Sequence, residues 1–101
     1  MLHVNINGRH LDVTAPIKEH TETQLHKLET HYPNISDKIS NIDVFLSAGK
    51  GEHCAKAHAN VLGGREICAS ATTDNLYGAI NKMVHELMRQ MSDYKNKITK
   101  H

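Results

Sequence analysis

The side chains with the most chemistry to offer are nine histidines and two cysteines, Cys54 and Cys68. Imidazoles and thiolates hold zinc, and they serve as bases and nucleophiles. Their spacing does not assemble either kind of site. A helical chelate needs ligands three or four positions apart, and no two histidines have that separation. None are two apart, as they would be on one face of a strand. His53 and His58 differ by five positions and so face opposite sides of an extended strand. A metal site would have to be assembled from distant elements. Cys68 falls mid-strand, where a small buried or half-buried thiol is expected, and neither cysteine has the basic, exposed surroundings that activate a thiol. There is no G-x-S-x-G, G-x-G-x-x-G or P-loop signature, and the lysine of "SAGKG" (Ser47–Gly51) precedes no helix that would bind phosphate. No catalytic residue, metal site or cofactor is expected, and the chain does not read as an enzyme.

The second resource is positive charge. Twelve Lys+Arg against eleven Asp+Glu give a formal net charge of +1, so any anion must be met by the pattern of charge rather than its total. In the C-terminal part, Lys82, Arg89 and Lys100 fall within about 20° of one another on a helical wheel, with Lys97 one flank over. Lys82–Glu86, Arg89–Asp93 and Asp93–Lys97 are also i,i+4 pairs, so a solvated, self-paired face explains the same residues. Tyr77 is one of three tyrosines beside a single phenylalanine. It stands at one edge of that helix's apolar arc, where it either buries its ring and wets its hydroxyl or touches a partner.

These residues need elements to hold them. Leu2, Val4 and Ile6 alternate with polar neighbours and predict a half-buried strand that breaks at Gly8-Arg9. Thr14 reads as a helix cap with Pro16 in the first turn, and Ile17, Thr21, Leu25, Leu28 and Tyr32 carry the helix to Pro33-Asn34. Ile42, Val44 and Leu46 predict a second strand. Ala55, Ala57, Ala59 and Val61 form the inward face of a third, and Ile67, Ala69 and Ala71 that of a fourth. A turn at Gly63-Gly64 with Val61 opposite Ile67 keeps all inward residues on one face and Cys54 away from Cys68. Asp74 reads as the cap of the last helix, whose Leu76, Ile80, Met83, Val84, Leu87, Met91, Tyr94 and Ile98 share an arc of about 100°. The order is β-α-β-β-β-α, an α+β fold with two helices on one face of a four-stranded sheet. The other face is polar, with Phe45 as its one stacking aromatic, too few for a sheet that reads single-stranded RNA. At 101 residues, one domain spans 1–101. No apolar run approaches the ~20 residues of a membrane span, and no secretory signal is apparent, so a cytoplasmic protein is expected.

Three stretches carry a family resemblance. "GGREICASATTDNLYGAINKMVHELMRQMSDYKNKITKH" resembles the C-terminal half of the short ribosome hibernation promoting factors, of the ribosome-associated translation inhibitor family. "NINGRHLDVTAPIKEH" and "LHKLETHY" resemble its first half. The most specific parts are D-x-x-Y-x-A-I-[DN], here Asp74, Tyr77, Ala79, Ile80 and Asn81, and the later Leu87-x-Arg89-Gln90. The resemblance implies a fold similar to a double-stranded RNA-binding domain. It implies binding to the small ribosomal subunit and its ribosomal RNA near the decoding centre, which blocks translation in starved or stationary-phase cells. It also implies promotion of inactive ribosome dimers together with ribosome modulation factor, with no DNA or membrane partner. The family's RNA contacts come largely from basic helix residues, and the matching positions are Lys27, Arg89, Lys95 and Lys97, with Lys82 nearby and Arg9 in the first loop. Tyr77 completes the candidate set. Glu86 and Asp93 stand where relatives commonly carry lysine. Three other readings remain: inhibition of single ribosomes without dimerisation, a protein–protein docking module that uses the polar sheet face, and a small metal or redox protein that uses the histidines and cysteines.

Overall fold

The computed structural model describes residues 3–33, 38–61 and 65–99, with residues 65 and 94–99 described as backbone only. Its elements are β1 (Val4–Arg9), α1 (Ala15–His31), β2 (Ile39–Gly49), β3 (Glu52–Val61), β4 (Arg65–Thr73) and α2 (Leu76–Thr99). The strands lie in the order β1-β2-β3-β4. β1 runs parallel to β2, and the other two pairings are antiparallel. The two helices therefore run in the same sense along one face of the sheet.

That face is closed by one core. Leu25 and Leu28 of α1, Ile42, Val44 and Leu46 of β2, and Ile80, Met83, Leu87 and Met91 of α2 are all buried in it. Ala55, Ala57, Ala59 and Ala69 line the sheet beneath α2, and their short side chains let the helix approach the strands closely. Thr21 is the one buried polar residue among those described. Its hydroxyl donates to the Ile17 carbonyl at 2.8 Å, so it costs no unpaired donor.

Among the described side chains the inward residues fall where the periodicity puts them, with Leu2, Tyr94 and Ile98 outside those described, but three local expectations change. β1 does not break at Gly8. Its ladder continues through Gly8↔Leu46 and Arg9↔Ser47, and the chain turns at His10, whose φ is 59°. Gly8 is required there because a Cβ would collide with the Leu11 carbonyl oxygen.

The hairpin register is shifted by two residues. Ala59, not Val61, lies opposite Ile67, and Val61 lies opposite Arg65. The expected turn at Gly63-Gly64 lies outside the described residues. Third, Asn75 rather than Asp74 caps α2. Its side-chain oxygen accepts the amides of Tyr77 (2.9 Å) and Gly78 (3.3 Å), and its carbonyl accepts that of Ala79. The Thr73 hydroxyl holds the Asn75 backbone in place for that role.

Candidate nucleic-acid interface

Among the described side chains, the basic residues singled out by sequence do not converge on one patch. Arg9 ends β1 at one end of the sheet, beside Ser47, Gly49 and Thr72. Lys27 lies on α1, exposed, and donates to Gln24 at 2.9 Å. Lys82 and Arg89 lie two turns apart on the outer side of α2, and both are exposed. Lys95 and Lys97 lie in the last turns of α2, with side chains outside the described residues.

The α1–α2 seam ties the helix that carries Lys27 to the one that carries Lys82 and Arg89. His20 of α1 meets Asn81 of α2 at 2.9 Å through Nε2, and its ring packs edge-on against Tyr77 with centroids 4.8 Å apart. Tyr77 thus locks the first turns of the two helices together while 42% of its surface stays in solvent. It is a rim residue by packing, with a face still open to a partner. His20 was not among the candidates. Its position on the Lys27 flank of α1 is the signal that would have found it.

Arg89 is held on both sides. Its guanidinium donates to Glu86 through Nε (3.1 Å) and Nη2 (2.5 Å), and to Asp93 through Nη1 (3.3 Å). The hydrogen bond from Arg89 keeps the Glu86 carboxyl below its usual range, and the same bond raises Arg89 further. The expected Lys82–Glu86 pair does not form, because Glu86 turns the other way, toward Arg89. Lys82 has no ion-pair partner among the described residues and lies in a shallow depression with Ser70, Thr72, Asn81, His85 and Glu86. Lys82 is thus left without an ion pair, whereas two carboxylates engage the Arg89 guanidinium.

The opposite face of the sheet is polar and hydrogen-bonded across strands. Asp43 accepts from Asn5 (3.1 Å) and Asn41 (3.2 Å), and Asn60 donates to Asn41 (3.0 Å). Beside this network stand His58, Glu66 and Cys68. The sequence reading made Cys68 a buried or half-buried thiol. It is exposed, because the inward alternation of Ile67 and Ala69 turns it outward. Partial desolvation and the hydrogen bond to Glu66 raise its thiol above the usual range, so it is not an activated nucleophile. The hydrogen bond from His58 keeps Glu66 below the usual carboxylate range. Cys54 is also free, and the two cysteines are not bonded.

The comparisons with known proteins cover the whole architecture. A family model described as "Sigma 54 modulation protein / S30EA ribosomal protein" matches residues 4–99. The ribosome hibernation promoting factor of Escherichia coli K12 is 32% identical over 100 residues, 99% of this chain and 100% of that protein. That of Pseudomonas putida is 32% identical over 96 residues, 95% of this chain and 89% of the relative. Among solved structures, a ribosomal subunit interface protein from Coxiella burnetii superposes with a TM-score of 0.83 at 29% identity, covering 93% of this chain and 98% of that one. The N-terminal domain of Thermus thermophilus Protein Y shares the fold, with a TM-score of 0.78 at 23% identity over 93% of this chain and 99% of that one. With its β-α-β-β-β-α order, its two helices on one sheet face and this near-complete coverage, the chain belongs to the Sigma 54 modulation protein / S30EA ribosomal protein family, the family of the ribosome hibernation promoting factors, which are binding proteins and not enzymes.

Proposed function

We propose that this protein is a cytoplasmic ribosome hibernation factor in which residues 1–101 form a single ribosome-binding domain. It binds the small subunit through ribosomal RNA in the decoding region, where it blocks the paths of messenger and transfer RNA in starved or stationary-phase cells. It promotes inactive ribosome dimers with ribosome modulation factor. Arg9, Lys27, Lys82, Arg89, Lys95 and Lys97 meet phosphates, and Tyr77 contacts RNA from the helix seam.

The observation that carries this reading is the match to the E. coli K12 hibernation promoting factor along that protein's entire length. The exposed cations of both helices fit a partner whose affinity comes from phosphates. A second reading, docking of a protein partner on the open sheet, is favoured by Phe45, a large apolar side chain left 44% exposed on a polar face.

Sedimentation with purified ribosomes at several salt concentrations separates the two. Phosphate binding weakens steeply as salt rises, and docking through Phe45 does not. Co-sedimentation with small subunits that falls away with salt and survives Phe45→Ala supports the first reading. Salt-insensitive binding lost in Phe45→Ala supports the second.

A further inference from the structure

We propose that His58, Glu66 and Cys68 form a zinc-binding site on the open face of the sheet. The ladder places His58 directly opposite Cys68, and Glu66 lies two residues before Cys68 on the same face of β4. Their ligand atoms already converge. His58 Nδ1 lies 2.5 Å from Glu66 Oε1 and 3.3 Å from Cys68 Sγ, and Cys68 Sγ lies 3.2 Å from Glu66 Oε1. Zinc bonds of about 2.0–2.3 Å in tetrahedral geometry put neighbouring ligand atoms roughly 3.3–3.6 Å apart. The two contacts to sulfur are close to that spacing, and only the His58–Glu66 pair must open, by less than about 1 Å. Both of those side chains are part-exposed, and rotation of the Glu66 carboxylate can supply that opening.

The donor set selects the metal class. One thiolate, one imidazole and one carboxylate suit zinc, whereas calcium and magnesium take oxygen ligands alone. Three protein ligands leave a fourth position facing solvent, which water fills. The support is also in place. The His58 ring packs edge-on against Phe45, with centroids 5.9 Å apart, which restrains the imidazole. Gln90 of α2 donates to the Cys68 carbonyl and fixes β4 at that residue. A hydrogen-bonded ladder positions ligands more rigidly than a loop does. Lys56 lies in the same depression, and its flexible stem lets the ammonium swing away from an incoming cation.

The test titrates Zn²⁺ into the chelator-treated full chain and uses Co²⁺ as a spectroscopic substitute. The expected result is one equivalent of Zn²⁺ bound, a higher melting temperature with Zn²⁺, and a thiolate-to-Co²⁺ charge-transfer band. Cys68→Ser should abolish that band, and Cys54→Ser should keep it. Changes to residues beyond the ligands typically weaken metal binding by ~10–100-fold, so His58→Gln and Glu66→Gln should each weaken Zn²⁺ binding by at least about tenfold. All these positions are part-exposed or exposed, and far-UV circular dichroism checks that each variant keeps the fold. The proposal is overturned if no thiolate band appears. It is also overturned if Cys68→Ser binds Zn²⁺ like the wild type, since the other histidines would then account for the metal.

Discussion

The two faces of the β3–β4 hairpin are built from the same residues in alternation, yet they answer to different rules. On the inner face, Ala55, Ala57, Ala59 and Ala69 are at most 5% exposed and lie against α2. On the outer face, Lys56, His58, Cys68 and Ser70 meet solvent and one another. Size decides what the inner positions tolerate, because a packed interior has no spare volume. The outer positions tolerate any size, and there the constraint is which polar atoms meet. Pattern reading recovers the first kind of information and loses the second.

The sharpest way to break this contrast is to add volume inside. Ala59→Leu should destabilise the fold by ~1–3 kcal/mol, since the added carbons would push α2 off the sheet. In a domain of this size each kcal/mol lowers the melting temperature by roughly 4–8 °C. Substitutions at exposed positions away from special features usually stay within about 0.5 kcal/mol, so Lys56→Leu on the outer face should barely move it. Equal melting temperatures for Ala59→Leu and the wild type would mean that the sheet faces are not as described.

The hairpin also shows why one part of the sequence was legible and another was not. Side chains on a strand repeat every two residues, so a register shifted by two keeps Ala57, Ala59, Ile67 and Ala69 inward and leaves the apolar pattern unchanged. Turn length is what decides between such registers, and "VLGGR" permits more than one. The expected register put Asn60 opposite Cys68. The observed one puts His58 there, and with it the whole His58–Glu66–Cys68 cluster. The spacing between histidines held no trace of it, because its members come from three residue types on two strands.

The caps of α2 extend the contrast to a helix end. Asp74 and Asn75 are equally good cap residues by type, and sequence favoured the wrong one by a single position. The two bonds that Asn75 Oδ1 accepts make the distinction measurable. Asn75→Ala should cost ~1 kcal/mol, and Asp74→Ala, which removes no cap bond, should cost much less. Equal losses in thermal unfolding would mean that the two residues share the capping.

On the outer side of α2 the contrast becomes functional. Arg89→Ala opens no cavity and should leave the melting temperature at neutral pH nearly unchanged. Titration onto small subunits should show weaker binding and a salt slope flatter by about one unit, if one phosphate contact is lost. Glu86→Lys should strengthen binding, because it removes a carboxylate from Arg89 and adds a cation beside Lys82. Sequence spacing assigned Glu86 to Lys82. The planar guanidinium prevails because it can bond the carboxylates three before and four after it at once, which an ammonium on a flexible stem does less well. Wild-type binding by Arg89→Ala at every salt concentration would reduce this face to a solvated, self-paired surface.

The smallest effect concerns acid. Arg89 holds the folded Glu86 carboxyl below its ordinary value of 4.5. A depressed carboxylate stabilises the fold at pH above its unfolded value, and that contribution is lost as pH falls through the folded one. Acidifying from pH 6 toward pH 3 should therefore lower the wild-type melting temperature slightly more than that of Arg89→Ala, whose Glu86 has no guanidinium to lose. Solvent and salt screen this exposed pair, so the gap should be small and should shrink further in high salt. Thermal unfolding of both proteins across that range, at low and high salt, reads it directly. A gap that stayed constant across the range would mean that Glu86 and Arg89 do not hold each other in solution, leaving Asp93 as the guanidinium's one carboxylate partner among the described residues.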